Sequence, residues 1–186
     1  SGSNAIVDWV VVELRSAGDA TVVLATRSGL LQRDGDVVGA DGVSPLSFNA
    51  APGDYYVAVR HRNHLPAMTD APLALGGAPL SLDLSVPGTA TYGTDARKEI
   101  GGVMVLWAGD VDLNGLIKYT GSDNDRDRIL SKIGGSVPTN SISGYHSEDV
   151  NMDGYVKYVG ASNDRDPILV NIGGMIPTNS MNGQLP

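Results

Sequence analysis

The chain has 186 residues, with 21 Asp and Glu against 13 Lys and Arg, a formal net charge of -8 and an isoelectric point near 4.6. That balance argues against a phosphate backbone as partner and suits a protein that holds cations or simply stays soluble. There is no cysteine, so disulfides and thiolate metal sites are excluded and any metal must be held by oxygen.

The most apolar stretch, residues 6–14, is interrupted by Asp8 and Glu13 and is far shorter than the roughly 20 residues that span a bilayer. Neither a membrane span nor a signal peptide is expected in the chain as given. The opening Ser-Gly-Ser-Asn-Ala reads as a cloning remnant, and the chain is expected to be the C-terminal end of a larger protein.

From residue 6 to about 86, short runs rich in Val and Leu are punctuated by Gly, Pro and Asp-Gly pairs. This is the pattern of an all-β sandwich. The predicted strands are "IVDWVVVELR", "ATVVLATR", "GLLQRDGDVV", "PLSFNA", "GDYYVAVRHRN" and "PLSLDLSV", with Asp34-Gly35 and Asp41-Gly42 as turns. A first domain over 6–95 follows. Residues 86–102, small and polar, read as a linker.

A second domain is expected over 103–186, and it contains an internal repeat. Residues 110–141 lie over 149–180 without a gap, and 19 of the 32 positions are identical. Each copy opens as an oxygen-ligand loop, Asp-x-[Asp/Asn]-x-[Asn/Asp]-Gly, with the Gly where the loop must turn sharply. Counting from Asp110, however, the twelfth position, which should close on the ion with a carboxylate, is Gly121.

Both copies then carry Lys-Tyr-x-Gly, followed by Asn-Asp-Arg-Asp and Ile-Leu. A decayed loop has no reason to keep one apparent defect twice, so the loop is read as interrupted by a six-residue insertion. Asn124 and Asp127, like Asn163 and Asp166, have the spacing of a helix N-cap and the third helical residue, whose carboxylate turns back onto the ion. Ile129, Leu130 and Ile133, with Ile168, Leu169 and Ile172, supply the apolar helix face, and Gly134 and Gly173 stop it, with Pro138 and Pro177 beyond.

The expected ligands of the first site are Asp110, Asp112, Asn114, the carbonyl of Leu116, Asp127 and, directly or through water, Asn124. Those of the second are Asp149, Asn151, Asp153, the carbonyl of Tyr155, Asp166 and Asn163. Many hard oxygens, mixed between carboxylate and amide, suit two Ca²⁺ ions better than Mg²⁺. Asp125 and Asp164 recur as well and are alternative closing residues, although helix geometry favours Asp127 and Asp166. The competing explanation is that Asx-rich turns cap helices without any metal.

A strand "VMVLWAGDVD" feeding such a loop, one exiting helix, and a second copy together resemble a dockerin-type tandem calcium module, an EF-hand-like pair without entering helices. The insertion and the absence of an obvious recognition dipeptide depart from that pattern. With "YYVAVRHRNHL" upstream, the whole chain is similar to the C-terminal region of large secreted or surface-exposed bacterial proteins, where an Ig-like or carboxypeptidase-regulatory-like sandwich precedes calcium repeats. The resemblance implies an extracellular or cell-surface place and a small α module.

No catalytic motif occurs, and no enzyme is expected. His61 and His64 fall on opposite faces of a strand, which favours structural roles. The expected function is a monomeric, non-catalytic calcium module that stabilises the end of a larger extracellular protein. Alternatives are a calcium-dependent adaptor for a cohesin-like protein partner, docking around Arg126, Arg128, Lys132, Arg165 and Asn171, and a carbohydrate-binding sandwich using Trp9, Trp107, Tyr55 or Tyr56. Trp9 and Trp107 are otherwise expected in the core, and Tyr119 and Tyr158 as an exposed, repeated contact surface.

Overall fold

The computed structural model describes residues 2–186, and its fold is mostly β, in antiparallel sheets, with two short helices. The chain divides into two compact units, the first made of Ser1–His61, Pro66–Leu106 and Gln184–Pro186, the second of Arg62–Leu65 and Trp107–Gly183.

The first unit holds a sheet of β1 (Ile6–Ser16), β2 (Asp19–Gln32), β3 (Val37–Val38), β4 (Gly53–His61), β5 (His64–Met68) and β6 (Leu73–Leu75), in the order β3-β2-β1-β4-β5, with β6 also on β4. Alternation along β1 puts Val10, Val12 and Leu14 on one face, where they are buried with Val57 of β4. Leu46, Phe48 and Leu82 pack onto that face from irregular segments.

Two expected strands, "PLSFNA" and "PLSLDLSV", are thus loops: half-buried Leu46, Phe48 and Leu82 cover the core, while the backbone makes no ladder beyond a single bridge from Pro45 to Val38. Conversely, "ATVVLATR" and "GLLQRDGDVV" are not separate strands: β2 runs through Gly29, which pairs with Val10. Gly29 is needed for close approach, since a Cβ there would collide with Val37. The Asp-Gly turns form as expected, with Gly35 and Gly42 at φ +99° and +76°.

On the opposite face, Glu13 is buried and accepts from Arg15 Nε at 2.8 Å and Arg60 Nε at 2.6 Å. His61 is buried and pairs with Asp8 at 3.2 Å. Trp9, expected in the core, is 40% exposed near the start of β1.

The 86–102 stretch, expected as a linker, is tied down within the first unit. The guanidinium of Arg97, 7% exposed, donates to the carbonyls of Leu84, Val86 and Thr89. It leads into the hairpin of β7 (Lys98–Ile100) and β8 (Val103–Val105). Residues 103–106, expected to open the second domain, therefore belong to the first unit.

The second unit is built twice. Each repeat contributes a loop strand, β9 (Leu116–Lys118) or β11 (Tyr155–Lys157), a helix, α1 (Asp125–Lys132) or α2 (Arg165–Asn171), and a tail strand, β10 (Ser141–Ser143) or β12 (Ser180–Asn182). The tails are exchanged: β12 pairs with β9 and β10 with β11. The core is correspondingly paired, with Val111 and Val150, Ile117 and Val156, Ile129 and Ile168, Ile133 and Ile172 all buried together with Leu65.

Both helices stop as the glycines require. Gly135 N donates to Leu130 O and Gly134 N to Ser131 O, with Gly134 at φ +112°, and Gly174, Gly173, Leu169 and Val170 repeat the arrangement. This is the Schellman closure, which favours glycine at its left-handed position. Among the described residues no helix is long and apolar enough to cross a membrane.

Candidate metal centre

Each loop is shaped by hydrogen bonds from its backbone to its own polar side chains. In the first, Gly115 N donates to Asp110 Oδ2 at 3.1 Å, Asn114 N to Asp112 Oδ1 at 3.3 Å and Leu116 N to Asn114 Oδ1 at 2.8 Å. In the second, Gly154 N donates to Asp149 Oδ2 at 3.0 Å, Asp153 N to Asn151 Oδ1 at 2.9 Å and Tyr155 N to Asp153 Oδ1 at 2.9 Å. These bonds bend the chain around a common interior, with Gly115 and Gly154 at φ +81° and +86°. Leu113 and Met152 take the same left-handed region at φ 59°, a conformation that costs a non-glycine residue about 1–2 kcal/mol.

Three carboxylates, Asp110, Asp112 and Asp125, have oxygens within 4.8 Å of one another. Asp110 is 1% exposed and Asp125 0%. Asp125 Oδ1 accepts from Val111 N at 2.7 Å and Oδ2 from Lys118 N at 2.8 Å, so it ties the two sides of the loop together. Asp164, also 0% exposed, does the same in the second copy, accepting from Val150 N and Lys157 N, each at 2.7 Å.

The residue meeting Asp110 and Asp112 is therefore Asp125 and not Asp127. Asp127 and Asp166 are exposed, in the first turns of their helices. Asp127 N donates to Asn124 Oδ1 at 2.9 Å while Asn124 Nδ2 donates to Asp127 Oδ2 at 2.8 Å, a reciprocal box that closes the helix N-terminus. Asn163 and Asp166 make the same pair of bonds. Asn124 and Asn163 are thereby occupied as caps. Asp125 lies four residues beyond Gly121, so the loop closes four residues late, where six were expected. Asp123 and Ser162, at φ 54° and 55°, make the tight turn that accommodates the extra residues.

Of the expected ligands, Asp110, Asp112 and Asn114 line the first loop, and Asp149, Asn151 and Asp153 the second. Leu116 and Tyr155 begin β9 and β11. Each copy has three carboxylates and one amide, the amide moving from Asn114 in the first to Asn151 in the second.

Electrostatics make the interior costly without a counter-charge. Burial pushes the Asp125 carboxyl up to about 7, and the charges of Asp112 and Asp110 add to the rise. Burial likewise raises Asp110 to about 6, with Asp112 contributing, and Asp164 to about 6, with Asp149 contributing. Asp127, by contrast, is lowered by its bond from Asn124 and by Arg126.

One buried oxygen, Asp110 Oδ1, has no hydrogen-bond partner. Orphaned, desolvated carboxylate oxygens fit a hard cation, which would supply the missing partner and neutralise the cluster. Asp112 also pairs with Arg128 at 3.1 Å, and Asp153 with Lys157 at 3.5 Å, at the loop rims.

Tyr119 and Tyr158, expected to be exposed, are half-buried against the core. Arg126 lies 5.1 Å over the first ring and Arg165 5.2 Å over the second. Asn171, one of the expected docking residues, donates to Ala108 O at 2.6 Å, and Lys132 pairs with Glu148 at 3.7 Å.

Compared with protein-family models, with curated proteins and with solved structures, the chain finds no match in any of the three.

Proposed function

We propose that the second unit is a non-catalytic module that binds two calcium ions, which hold its two repeats closed. Asp110, Asp112, Asn114 and Asp125 would hold the first ion, and Asp149, Asn151, Asp153 and Asp164 the second. The observation that carries this reading is the Asp110–Asp112–Asp125 cluster, buried at Asp110 and Asp125 and half-buried at Asp112, with the unpartnered Asp110 Oδ1, in a loop whose sequence occurs twice. The ion's contribution is electrostatic: it offsets the burial of two acidic groups per loop, Asp110 and Asp125 or Asp149 and Asp164, so that binding free energy becomes folding free energy.

Sites of this composition are filled where calcium is millimolar, so an extracellular or cell-surface setting belongs to the same proposal. The module would then act as a calcium-stiffened end of a larger protein.

Calcium titrated calorimetrically into chelator-stripped protein should bind with two equivalents. Asp125→Asn should remove one of them, whereas Asp127→Asn should keep both. Two equivalents surviving in Asp125→Asn, with one lost in Asp127→Asn, would restore Asp127 as the closing ligand. No binding by the unaltered chain would leave the loops as Asx-rich turns.

A second reading, a calcium-dependent protein adaptor, is favoured by the repeated stacking of Arg126 on Tyr119 and Arg165 on Tyr158, because Arg and Tyr are enriched where interfaces carry their binding energy. Capture of one stoichiometric partner with calcium, lost with chelator and lost again in Arg126→Ala with Arg165→Ala, would support it.

A further inference from the structure

Arg62–Leu65, the turn after β4 and the first two residues of β5, is part of the second unit although it lies more than forty residues upstream of the repeats. Asn63 within it is wholly buried, at 0% exposure. Its side-chain Nδ2 donates to the carbonyl of Asp149 at 2.7 Å and to that of Ser147 at 3.1 Å. Its backbone carbonyl accepts from Gly109 N at 2.8 Å. Gly109 directly precedes Asp110, the first residue of one loop, and Asp149 is the first residue of the other. A single residue is thus bonded to the start of both ion loops.

Its geometry is well determined. With Nδ2 donating to two carbonyls, Oδ1 must accept, and His64 Nδ1 lies 2.7 Å from it. Arg62 Nη1 donates to His146 O at 2.8 Å, and its guanidinium stacks 4.1 Å over Tyr145. Leu65 N donates to Trp107 O at 2.8 Å and its side chain is in the core. At the other end, Gly109 has little room to shift: at φ +124°, a Cβ there would come within 3.2 Å of Ile117 and Ile168.

Resting on the calcium reading, we propose that Asn63 is a positioning residue that couples the two ion sites. Closing either loop fixes the backbone where it begins, at Gly109 or at Asp149, and through that backbone fixes Asn63. The other loop then closes with part of its ordering already done, so the second ion binds more tightly than it would alone. Coupling through shared ordering requires no displacement of the ligands themselves and must be reciprocal between the sites.

The test uses the full chain and calcium alone, with the amide resonances of Gly115 and Gly154 as reporters. Each donates to the first carboxylate of its own loop, so each reads one site. In the unaltered chain the two should titrate together, and Asp149→Ala should weaken the Gly115 site several-fold. Asn63→Ala removes the side-chain bonds to Ser147, Asp149 and His64 and leaves the backbone bond to Gly109. It should weaken the Gly154 site about tenfold and abolish the effect of Asp149→Ala on Gly115.

An Asn63→Ala chain with wild-type affinity at Gly154, or in which Asp149→Ala still weakens Gly115 as before, overturns the coupling while leaving the calcium sites intact. If neither amide responds to calcium in the unaltered chain, the calcium reading fails first and the coupling with it. Should Asn63→Ala not fold, judged by the β1 and β4 amides, Asn63→Ser, which keeps a single donor, is read against the same outcomes.

Discussion

Asp125 and Asp127 stand two residues apart in one motif yet do opposite work. One is sealed in the loop with both oxygens bonded to backbone amides, and the other is an exposed partner of the Asn124 cap. The polar residues that shape the loop's first half were legible because their spacing is local and occurs twice. Which carboxylate closes the loop was not, because that depends on how the intervening residues turn, and the turn is made by Asp123 and Ser162 in a left-handed conformation that ligand spacing does not encode.

The same burial yields a pH prediction for ion-free protein. Asp110, Asp125 and Asp164 hold their protons up to about 6, about 7 and about 6 when folded, against roughly 4 for an unfolded Asp. Between those values the folded state binds more protons than the unfolded one, so stability falls as pH rises through that window. Chelated protein should therefore melt at a higher temperature near about pH 5 than near about pH 7.5, the reverse of ordinary acid denaturation. Saturating calcium should remove the difference, because the ion binds the deprotonated loop. A chelated protein whose melting temperature climbs over the same interval would show that desolvation does not control these groups.

At the scale of elements, the two helices lie where their caps and stops put them. Asn124 and Gly134 bracket α1, and the helical spacing of Ile129 and Ile133 faces the core. The tail strands were not legible. "TNSIS" and "TNSMN" carry too few apolar residues to signal a strand, and they become strands because each repeat's tail finds the other repeat's loop strand. Propensity is overridden there by an available edge. The exchange also separates the sites. β12 supports β9 and hence the first loop, while the second loop's β11 is paired with β10. Removing residues 179–186 should weaken the first of the proposed calcium sites several-fold and leave the second near its original affinity, as read by titration followed at Gly115 and Gly154. Equal weakening of both would mean that the tails contribute only to general stability.

Across the whole molecule, a contiguous boundary does not describe the second unit. The linear reading divided the chain at 95 and 103, because "YYVAVRHRN" runs on as a strand pattern and nothing in it signals that its last residues serve a different core. Yet Arg62–Leu65 supplies that core with Leu65, and supplies Asn63 and Arg62 to the segment before the second loop. A fragment of residues 103–186 carries both repeats but lacks this turn. Loss of a fully buried leucine alone costs about 2–5 kcal/mol, a large part of the stability of a small domain, and the carbonyls of His146, Ser147 and Asp149 lose their donors as well. Saturation at a hundredfold excess over Kd returns only about 2.7 kcal/mol per ion. The fragment should therefore remain poorly dispersed in its amide spectrum at calcium concentrations that saturate the full chain. A fragment that folds and binds two ions with the affinity of the full chain would show that the upstream turn is dispensable. The outcome matters beyond fold boundaries, because each loop is too acidic and each helix too short to close alone, and closure depends on what both repeats and the turn together bury.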